Sequence, residues 1–264
     1  MSPDVVSTYT SAADHFDNLP FWHHFGRRTV ERLHLARGAR VLDLCCGAGA
    51  SAIPAGEAVG PEGRVTGIDI TPALVDIARC KATARGLSNV DFTVGDVSGL
   101  DYPPGSVDAV ISVFGWFFLD DMAGMLARAW TWLRPGGVIA LTTWGTRVLA
   151  PGEDLFWETV EAEDPTISPA SPSDRLKTPA DLAALVADAG LPTPAIDVES
   201  WQMPLERPED FWPVVLGTSN RGAIEALTPA ARERVYAKVI GELRTRRIRA
   251  LDLEAVFTEI RLNS

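Results

Sequence analysis

Cysteine is scarce in this sequence, with 3 residues in 264. Cys45, Cys46 and Cys80 are odd in number and form no Cys-x-x-Cys pair. This excludes a disulfide framework and argues against a structural zinc site, so no metal is expected. We expect all three thiols to be reduced and buried.

Long apolar runs are also missing. No stretch reaches the roughly 18 apolar residues that a membrane-spanning helix needs. The first residues, MSPDVVSTYT, lack the basic start and the apolar segment of a secretory signal. The sequence therefore predicts a cytoplasmic protein without a membrane partner.

Positive charge is in deficit. Lys and Arg number 24 against 35 Asp and Glu, a formal net charge of −11. Such a chain repels a phosphate backbone, so no nucleic-acid partner is expected. The one basic cluster, RTRRIR at 244–249, is interpreted as the end of a helix, where cations complement the helix dipole.

Short apolar runs alternate with helical periods from residue 40 to residue 144. This alternation is typical of a parallel sheet with crossover helices. The predicted strands are 40–44, 64–68, 90–94, 107–113 and 137–144, and the predicted helices between them are 50–59, 71–85 and 121–133. The predicted class is α/β, with a Rossmann-like, mostly parallel sheet of seven strands flanked by helices.

The remaining strands and a helical insertion are predicted after a Pro- and Ser-rich loop at 161–179. The expected elements are a helix at 179–189, a strand at 195–203, helices at 208–226 and 229–247, and a final edge strand at 251–262. The resulting division is an N-terminal helical segment or lid at 1–39, an α/β core at 40–204, a helical lid at 205–248 and the final edge strand of the core at 249–264.

A glycine-containing turn follows the first predicted strand, in VLDLCCGAGAS at 41–51. Gly47 and Gly49 allow a tight turn and a close approach of the backbone to a ligand, at the start of a helix whose N–H groups favour an anion. Asp69 ends the second strand, 22 residues after Gly47, where an acidic side chain binds ribose hydroxyls. Together these features predict an adenosine-containing ligand.

Asp43 separates two classes of adenosine ligand. A carboxylate four residues before Gly47 would repel a dinucleotide pyrophosphate in a crevice of low dielectric constant. It suits the ammonium group of S-adenosylmethionine instead. The position of Asp43 therefore favours S-adenosylmethionine over a nicotinamide dinucleotide.

The motifs VLDLCCGAG, GIDI, FTVGDVSGLDYPPGSVDAVIS and LRPGGVIALTTW occur in an order and spacing that resemble class I S-adenosylmethionine-dependent methyltransferases. The set is similar to the subgroup of ubiquinone and menaquinone C-methyltransferases and small-molecule methyltransferases. The motifs cover residues 40–144. The resemblance implies S-adenosylmethionine as the methyl donor and S-adenosylhomocysteine as the product.

The resemblance also implies roles at the methionine end of the donor. Asp43, Gly47 and Gly49 would hold the methionine portion, with Cys45 lining the loop and Ser112 lying near it. The fourth predicted strand is followed by Ser-Val-Phe-Gly and not by Asn or Asp with two prolines and an aromatic residue, so methylation of nucleobase amines is not expected.

At the adenosine end, the resemblance implies four further contacts. Asp69 would accept hydrogen bonds from both ribose hydroxyls, and Ile70 would pack on one face of the adenine. Asp96 would accept the adenine amino group, with Val97 on the other face.

The acceptor side is predicted from histidines and aromatic residues. His23 or His24, in the N-terminal segment FWHHFGRR, is a candidate base or hydrogen-bond partner for the acceptor. Candidate walls of a pocket for a flat, apolar acceptor are Tyr9, Trp22, Phe114, Trp116, Phe117 and Trp144. The same residues also fit a packed core between lid and sheet.

The predicted function is methyl transfer to a small aromatic or heteroaromatic acceptor, with O- or N-methylation favoured. C-methylation of a quinone-like ring is one alternative. A nicotinamide-dependent oxidoreductase is another, although the sequence shows no evident Tyr-x-x-x-Lys pair. A non-catalytic adenosyl-binding protein is the third, and the chain is expected to be a monomer or a homodimer.

Overall fold

A seven-stranded sheet organises the fold. The structure is a computed structural model that describes residues 3–263. The strands are β1 (Arg40–Leu44), β2 (Arg64–Asp69), β3 (Val90–Val94), β4 (Val107–Val113), β5 (Leu133–Trp144), β6 (Ala195–Pro204) and β7 (Ala250–Arg261). Their order is β3-β2-β1-β4-β5-β7-β6, with β1 to β5 parallel and β7 antiparallel to both of its neighbours. The prediction of a mostly parallel sheet of seven strands is confirmed.

The predicted edge position of the last strand is wrong. β7 lies between β5 and β6 and pairs with both. Most of its side chains are buried, including Leu251, Leu253 and Phe257, because both of its faces are covered. The edge strand is β6, whose side chains are largely exposed or half-buried. An alternating pattern indicates one polar face but does not fix the order of strands in a sheet.

Ten helices flank the sheet in residues 3–263. Those before β5 are α1 (Pro3–Phe16), α2 (Pro20–Leu33), α3 (Ala52–Val59), α4 (Pro72–Ala84) and α5 (Met122–Trp132). Those after β5 are α6 (Gly152–Glu163), α7 (Pro179–Asp188), α8 (Phe211–Leu216), α9 (Arg221–Ala226) and α10 (Pro229–Thr245). The predicted helix at 208–226 is broken at Gly217, and α6 has no counterpart among the predicted helices.

Buried apolar side chains form a cluster on each side of the sheet. The larger cluster joins the sheet to α1, α2, α5 and the helices after β5. Within it, the Thr29 hydroxyl of α2 lies 2.7 Å from the Thr142 hydroxyl of β5, so α2 is tied to the sheet by a buried polar contact as well as by packing. The N-terminal helices are therefore part of the core of the fold.

The segment 205–248 forms α8, α9 and α10 between β6 and β7. Helices α8 and α9 contact α1, whereas α10 contacts α6. The segment thus meets the N-terminal helix. Its action as a lid stays a prediction.

No helix in residues 3–263 is long and apolar enough to cross a membrane.

Candidate active site

The loop after β1 turns by means of left-handed backbone conformations. Cys45, Gly47 and Gly49 have φ angles of 59°, 51° and 80°. A Cβ atom at Gly49 would lie 3.1 Å from the Phe92 ring, so the loop also packs closely against β3. Left-handed φ is natural for glycine and costs about 1 kcal/mol or more for other residues. Cys45 therefore holds a strained conformation in this loop.

Asp43 is fully buried at the base of the loop. One of its carboxylate oxygens, Oδ2, accepts a hydrogen bond of 2.7 Å from the Ser51 hydroxyl, while Oδ1 has no hydrogen-bond partner within residues 3–263. Burial raises the pKa of Asp43 to about 7, with a smaller contribution in the same direction from the charge of Asp69. A buried carboxylate oxygen without a partner is costly, and a cationic or hydrogen-bond-donating ligand would relieve that cost.

Asp69 joins the loop to the end of β2. Its Oδ2 accepts from the Gly47 N–H at 2.9 Å, and its Oδ1 accepts from the Thr71 N–H at 2.8 Å. Burial raises the pKa of Asp69, and the backbone hydrogen bonds oppose this effect. The Thr71 hydroxyl and the Ile70 N–H are further hydrogen-bond donors to this carboxylate.

A cavity opens beside Asp69 and the loop and is here called the first cavity. Its wall is formed by Tyr9, Phe16, Trp22, Cys45, Cys46, Gly47, Ala48, Ala50, Ser51, Asp69, Ile70, Thr71, Leu74, Val113, Phe114, Gly115 and Phe118. Helix α1 contributes Tyr9, whose ring meets those of Phe16 and Phe118 edge to face at 5.7 and 5.8 Å. Burial and the charge of Asp69 raise the pKa of Tyr9.

The first cavity gathers part of the predicted cofactor set. Cys45, Gly47, Asp69 and Ile70 line it. Among residues 3–263, the other predicted contacts are absent from its wall; these are Asp43, Gly49, Asp96, Val97 and Ser112. Ser51 lines the cavity and carries the contact to Asp43, a role that the sequence did not reveal.

Asp96, Val97 and Ser112 lie at the ends of β3 and β4. Asp96 is exposed and accepts from the Ser98 N–H at 2.8 Å. Although partial burial raises its pKa, the hydrogen bonds from Ser98 lower it overall. Val97 and Ser112 are buried, and the Ser112 hydroxyl has no partner.

A second cavity shares Tyr9 and Trp22 with the first. It extends between α1, the start of α6, the segment 167–177 and residues 218–223. Trp144 and Trp157 add aromatic surface, and Glu153, Lys177 and Asn220 add polar groups. Glu153 belongs to no motif, so the sequence offered no signal for its position here.

The predicted acceptor residues divide into two groups. Tyr9, Trp22 and Phe114 line the first cavity, and Trp144 lines the second. Phe114 stacks on Trp144 with ring centroids 3.7 Å apart.

Trp116 and Phe117 pack into the core instead of lining either cavity. They are only 1% and 3% exposed. The Trp116 indole N–H donates to the Met122 carbonyl at 3.3 Å, and the Phe117 carbonyl accepts from Arg175. Their role as acceptor contacts stays a prediction, because apolar residues after a strand serve a packed core as readily as a pocket.

The structure does not bring His23 and His24 to either cavity within the part of the chain that it describes. His23 lies 3.6 Å from the Asp17 carboxylate, and His24 stacks on Trp201 with ring centroids 4.3 Å apart. Burial lowers the pKa of both histidines. Both histidines line a third cavity, next to Gly49 and Ala50, and their catalytic role stays a prediction.

The cysteines are free, as expected, but they are not all buried. Cys46 is buried, Cys45 is half-buried and Cys80 is exposed on α4. The expectation for Cys80 is wrong, because its helix position faces solvent. No group of three or more His, Cys, Asp or Glu residues is arranged for metal binding within residues 3–263.

The fold is an open α/β sheet, with a glycine loop at the carboxyl end of β1 and an acidic residue at the carboxyl end of β2. Sheets of this class bind nucleoside-containing ligands at these strand ends. Residues 41–137 match the family described as methyltransferase domain. Most of the sequence motifs that indicate the resemblance to methyltransferases lie within this matched segment.

Curated relatives align with roughly half of this chain. Aklanonic acid methyltransferase DauC of Streptomyces sp. strain C5 is 40% identical over 141 residues, which are 53% of this chain and 64% of the relative. Demethylmenaquinone methyltransferase of Listeria monocytogenes is 34% identical, over 43% of this chain and 48% of the relative. Nocamycin O-methyltransferase of Saccharothrix syringae is 37% identical, over 46% of this chain and 44% of the relative. The chain thus spans less than two thirds of the length of these relatives.

Solved structures share the fold along most of the chain. A SAM-dependent methyltransferase from Aquifex aeolicus has a TM-score of 0.52 at 16% identity, covering 98% of this chain and 99% of that one. The [4+2]-cyclase SpnF has a TM-score of 0.55 at 21% identity, and the match covers 92% of this chain and 81% of that one. At these identities the similarity establishes the fold alone.

Proposed function

We propose that this protein is an S-adenosylmethionine-dependent methyltransferase that acts on a small molecule. The observation that carries the proposal is the junction of the two cavities. The first has the loop and carboxylate suited to an adenosyl amino acid, and it meets the second along Tyr9 and Trp22. Methyl transfer needs a donor and an acceptor site in contact, with the nucleophile aligned and water excluded.

The residues fit the proposed donor. Asp69 lies in the wall of the first cavity, Asp43 is linked to that wall through the Ser51 hydroxyl, and three left-handed residues shape the loop beside the cavity. When bound, S-adenosylmethionine supplies an electrophilic methyl group on a positively charged sulfur. Tyr9 and Phe16 would cover it and exclude water.

A flat acceptor with a hydroxyl group suits the second cavity. Trp22, Trp144 and Trp157 offer aromatic surface, and Glu153 offers a hydrogen-bond acceptor. The names of the relatives include an aklanonic acid methyltransferase, a demethylmenaquinone methyltransferase and an O-methyltransferase, which agrees with a small acceptor. We favour O-methylation because a carboxylate next to aromatic surface can accept the proton of a hydroxyl.

Calorimetric titration with S-adenosylhomocysteine, beside NADH, tests the donor assignment. We expect the wild-type protein to bind S-adenosylhomocysteine and not NADH. The Asp69→Ala variant should lose at least about tenfold in affinity, because a charge-assisted hydrogen bond to ribose is removed.

Asp91→Ala is the matched control, since Asp91 lies on the neighbouring strand β3 and its side chain is exposed, with an ion pair to Arg64. Circular dichroism of both variants checks the fold. Binding of NADH alone would favour the oxidoreductase, and unchanged affinity in a folded Asp69→Ala protein would contradict the role of Asp69.

A further inference from the structure

Glu153 lies in the first turn of α6, at the wall of the second cavity. Its backbone N–H donates to the Leu149 carbonyl at 3.1 Å, which fixes the start of the helix. Its side-chain Oε1 lies 3.4 Å from the amide nitrogen of Asn220, a residue that is 4% exposed. The carboxylate is thus anchored on one side and faces the cavity.

The carboxylate of Glu153 has spare capacity for hydrogen bonds. Asn220 and Trp157 contribute hydrogen bonds to it. A carboxylate offers about four lone-pair sites, so about two remain for a ligand. Trp157 also lines the cavity, which places aromatic surface beside this carboxylate.

The charged neighbours of Glu153 come from several elements. Asp154 follows it on α6, Lys177 and Asp174 come from the segment before α7, and Arg147 comes from the loop after β5. Lys177 is held by Asp174 at 2.5 Å, and Arg147 pairs with Asp252. Tyr9 faces the cavity from α1. Both cations are thus already paired with other carboxylates.

Burial raises the pKa of Glu153 to about 7, and the charge of Asp154 acts in the same direction. Hydrogen bonds from Asn220 and Trp157 and the charge of Lys177 lower the pKa and partly offset this effect. A carboxylate that ionises near neutral pH is well matched to accept a proton under ordinary conditions. Because the folded pKa lies above that of a free glutamate, the basic form is populated only as the pH rises through about 7.

We propose that Glu153 is the acceptor-side base, and that the second cavity binds a planar aromatic molecule whose hydroxyl group donates to the Glu153 carboxylate. The inference rests on the proposed function. The hydroxyl oxygen forms a bond to the methyl carbon as the carbon–sulfur bond breaks, and the electron pair of that bond stays on sulfur. The hydroxyl proton passes to Glu153, which leaves a neutral thioether and a methyl ether.

The test uses a matched pair of probes, 2-naphthol and 2-methoxynaphthalene, which have the same ring but differ in the O–H donor. Equilibrium dialysis in the presence of S-adenosylhomocysteine measures their affinities between pH 6 and pH 8. We expect the wild-type protein to prefer 2-naphthol by about tenfold at pH 8, the ratio for a hydrogen bond to a charged acceptor. The preference should fall as the pH drops through about 7, because Glu153 becomes protonated.

Two variants assign the effect. Glu153→Gln should remove the pH dependence of the preference, whereas Glu158→Gln should retain it, because Glu158 is exposed on the same helix and does not line the cavity. Methyl transfer from S-adenosylmethionine to 2-naphthol should rise with pH around 7 in the wild-type protein and lose this dependence in Glu153→Gln.

The failures of the two proposals are distinguishable. No binding of S-adenosylhomocysteine overturns the proposed function, and the role of Glu153 with it. Binding of S-adenosylhomocysteine with no preference for 2-naphthol, or with a preference that is independent of pH, overturns the inference alone. A pH-dependent preference without pH-dependent methyl transfer overturns the proton-transfer step.

Discussion

Asp43 carries a carboxylate with no exposed surface, and only one of its oxygens has a hydrogen-bond partner in the part of the chain that the structure describes. Its pKa is raised to about 7, whereas an unfolded aspartate ionises near about pH 4. Keeping Asp43 ionised therefore destabilises the ligand-free fold. The penalty is small below about pH 4, grows as the pH rises towards 7 and is complete above it. A site that accepts this cost is suited to a ligand that restores a donor to the carboxylate.

The variant Asp43→Asn should be more stable than the wild-type protein at pH 8 in the absence of ligand. The amide is neutral, and its oxygen can still accept the Ser51 hydroxyl. We expect the advantage at pH 8 to exceed that at pH 5 by about 2 kcal/mol. Urea unfolding at the two pH values measures the difference. Equal stabilities of the two proteins at pH 8 would contradict the burial of an ionised carboxylate.

Asp101→Asn is the control for this comparison, because Asp101 is exposed and lies outside the glycine loop. Its unfolding free energy should match that of the wild-type protein within about 0.5 kcal/mol at both pH values.

At the scale of elements, Glu199 of the edge strand β6 links this strand to α2 through ion pairs. Its carboxylate accepts from Arg28 Nε at 3.0 Å and from Arg32 Nη2 at 2.9 Å. The Arg28 hydrogen bonds and then those of Arg32 lower the pKa of Glu199 to about 2, against a smaller opposing effect of burial. Because the pKa of Glu199 is lower in the folded than in the unfolded protein, Glu199 stabilises the fold above about pH 4.5. This stabilisation is lost as the pH falls through about 2.

Glu199→Gln should lower the free energy of unfolding at pH 7 by about 1 kcal/mol, because the pair is partly exposed and screened by solvent. The difference from the wild-type protein should shrink at pH 3. Urea unfolding gives the free energies, and hydrogen exchange of the α2 amides should accelerate in the variant. Glu242→Gln is the control, since Glu242 pairs with the exposed side chains of Lys238 on α10 and Arg246 just after it. A loss at pH 7 no larger than that of the control would contradict the fastening role.

The helices and strands that were predicted accurately are those marked by a regular pattern of apolar residues along the sequence. Strands β1 to β4 and helices α3 to α5 begin and end close to the predicted residues, because alternation and helical period are set by adjacent side chains. The threonines before three helices differ in their capping. Thr178 and Thr228 accept from the N–H groups of Asp181 and Ala231, whereas the side chain of Thr71 forms no capping hydrogen bond within residues 3–263.

The misplaced features depend on long-range contacts. The position of β7 inside the sheet follows from pairing with β5 and β6, which no local pattern encodes. Among the site residues, Gly47 and Asp69 follow from strand ends and spacing, whereas Ser51 and Glu153 reach the cavities through loop and helix packing. Trp116 and Phe117 are the opposite case, because they were predicted to line a pocket but are packed in the core. Residue type alone does not distinguish the wall of a pocket from a core.

At the scale of the whole molecule, the two cavities are joined by residues from outside the segment 41–137, which matches the methyltransferase family. Tyr9 and Trp22 come from the N-terminal helices, and Glu153 and Asn220 come from segments after β5. Under the proposed function, the matched segment would provide most of the donor site, and the flanking helices would enclose it and form most of the acceptor site. Variation in the flanks would then change the acceptor while the donor stays the same.

A crystal structure with S-adenosylhomocysteine bound measures this arrangement most directly. We expect the ribose hydroxyls within hydrogen-bond distance of Asp69, the amino-acid end over the loop at Gly47, and the sulfur facing Tyr9 and Trp22, where the two cavities meet. A ligand bound with its sulfur directed away from the second cavity, or bound elsewhere on the protein, would contradict a donor and an acceptor site that meet at this junction.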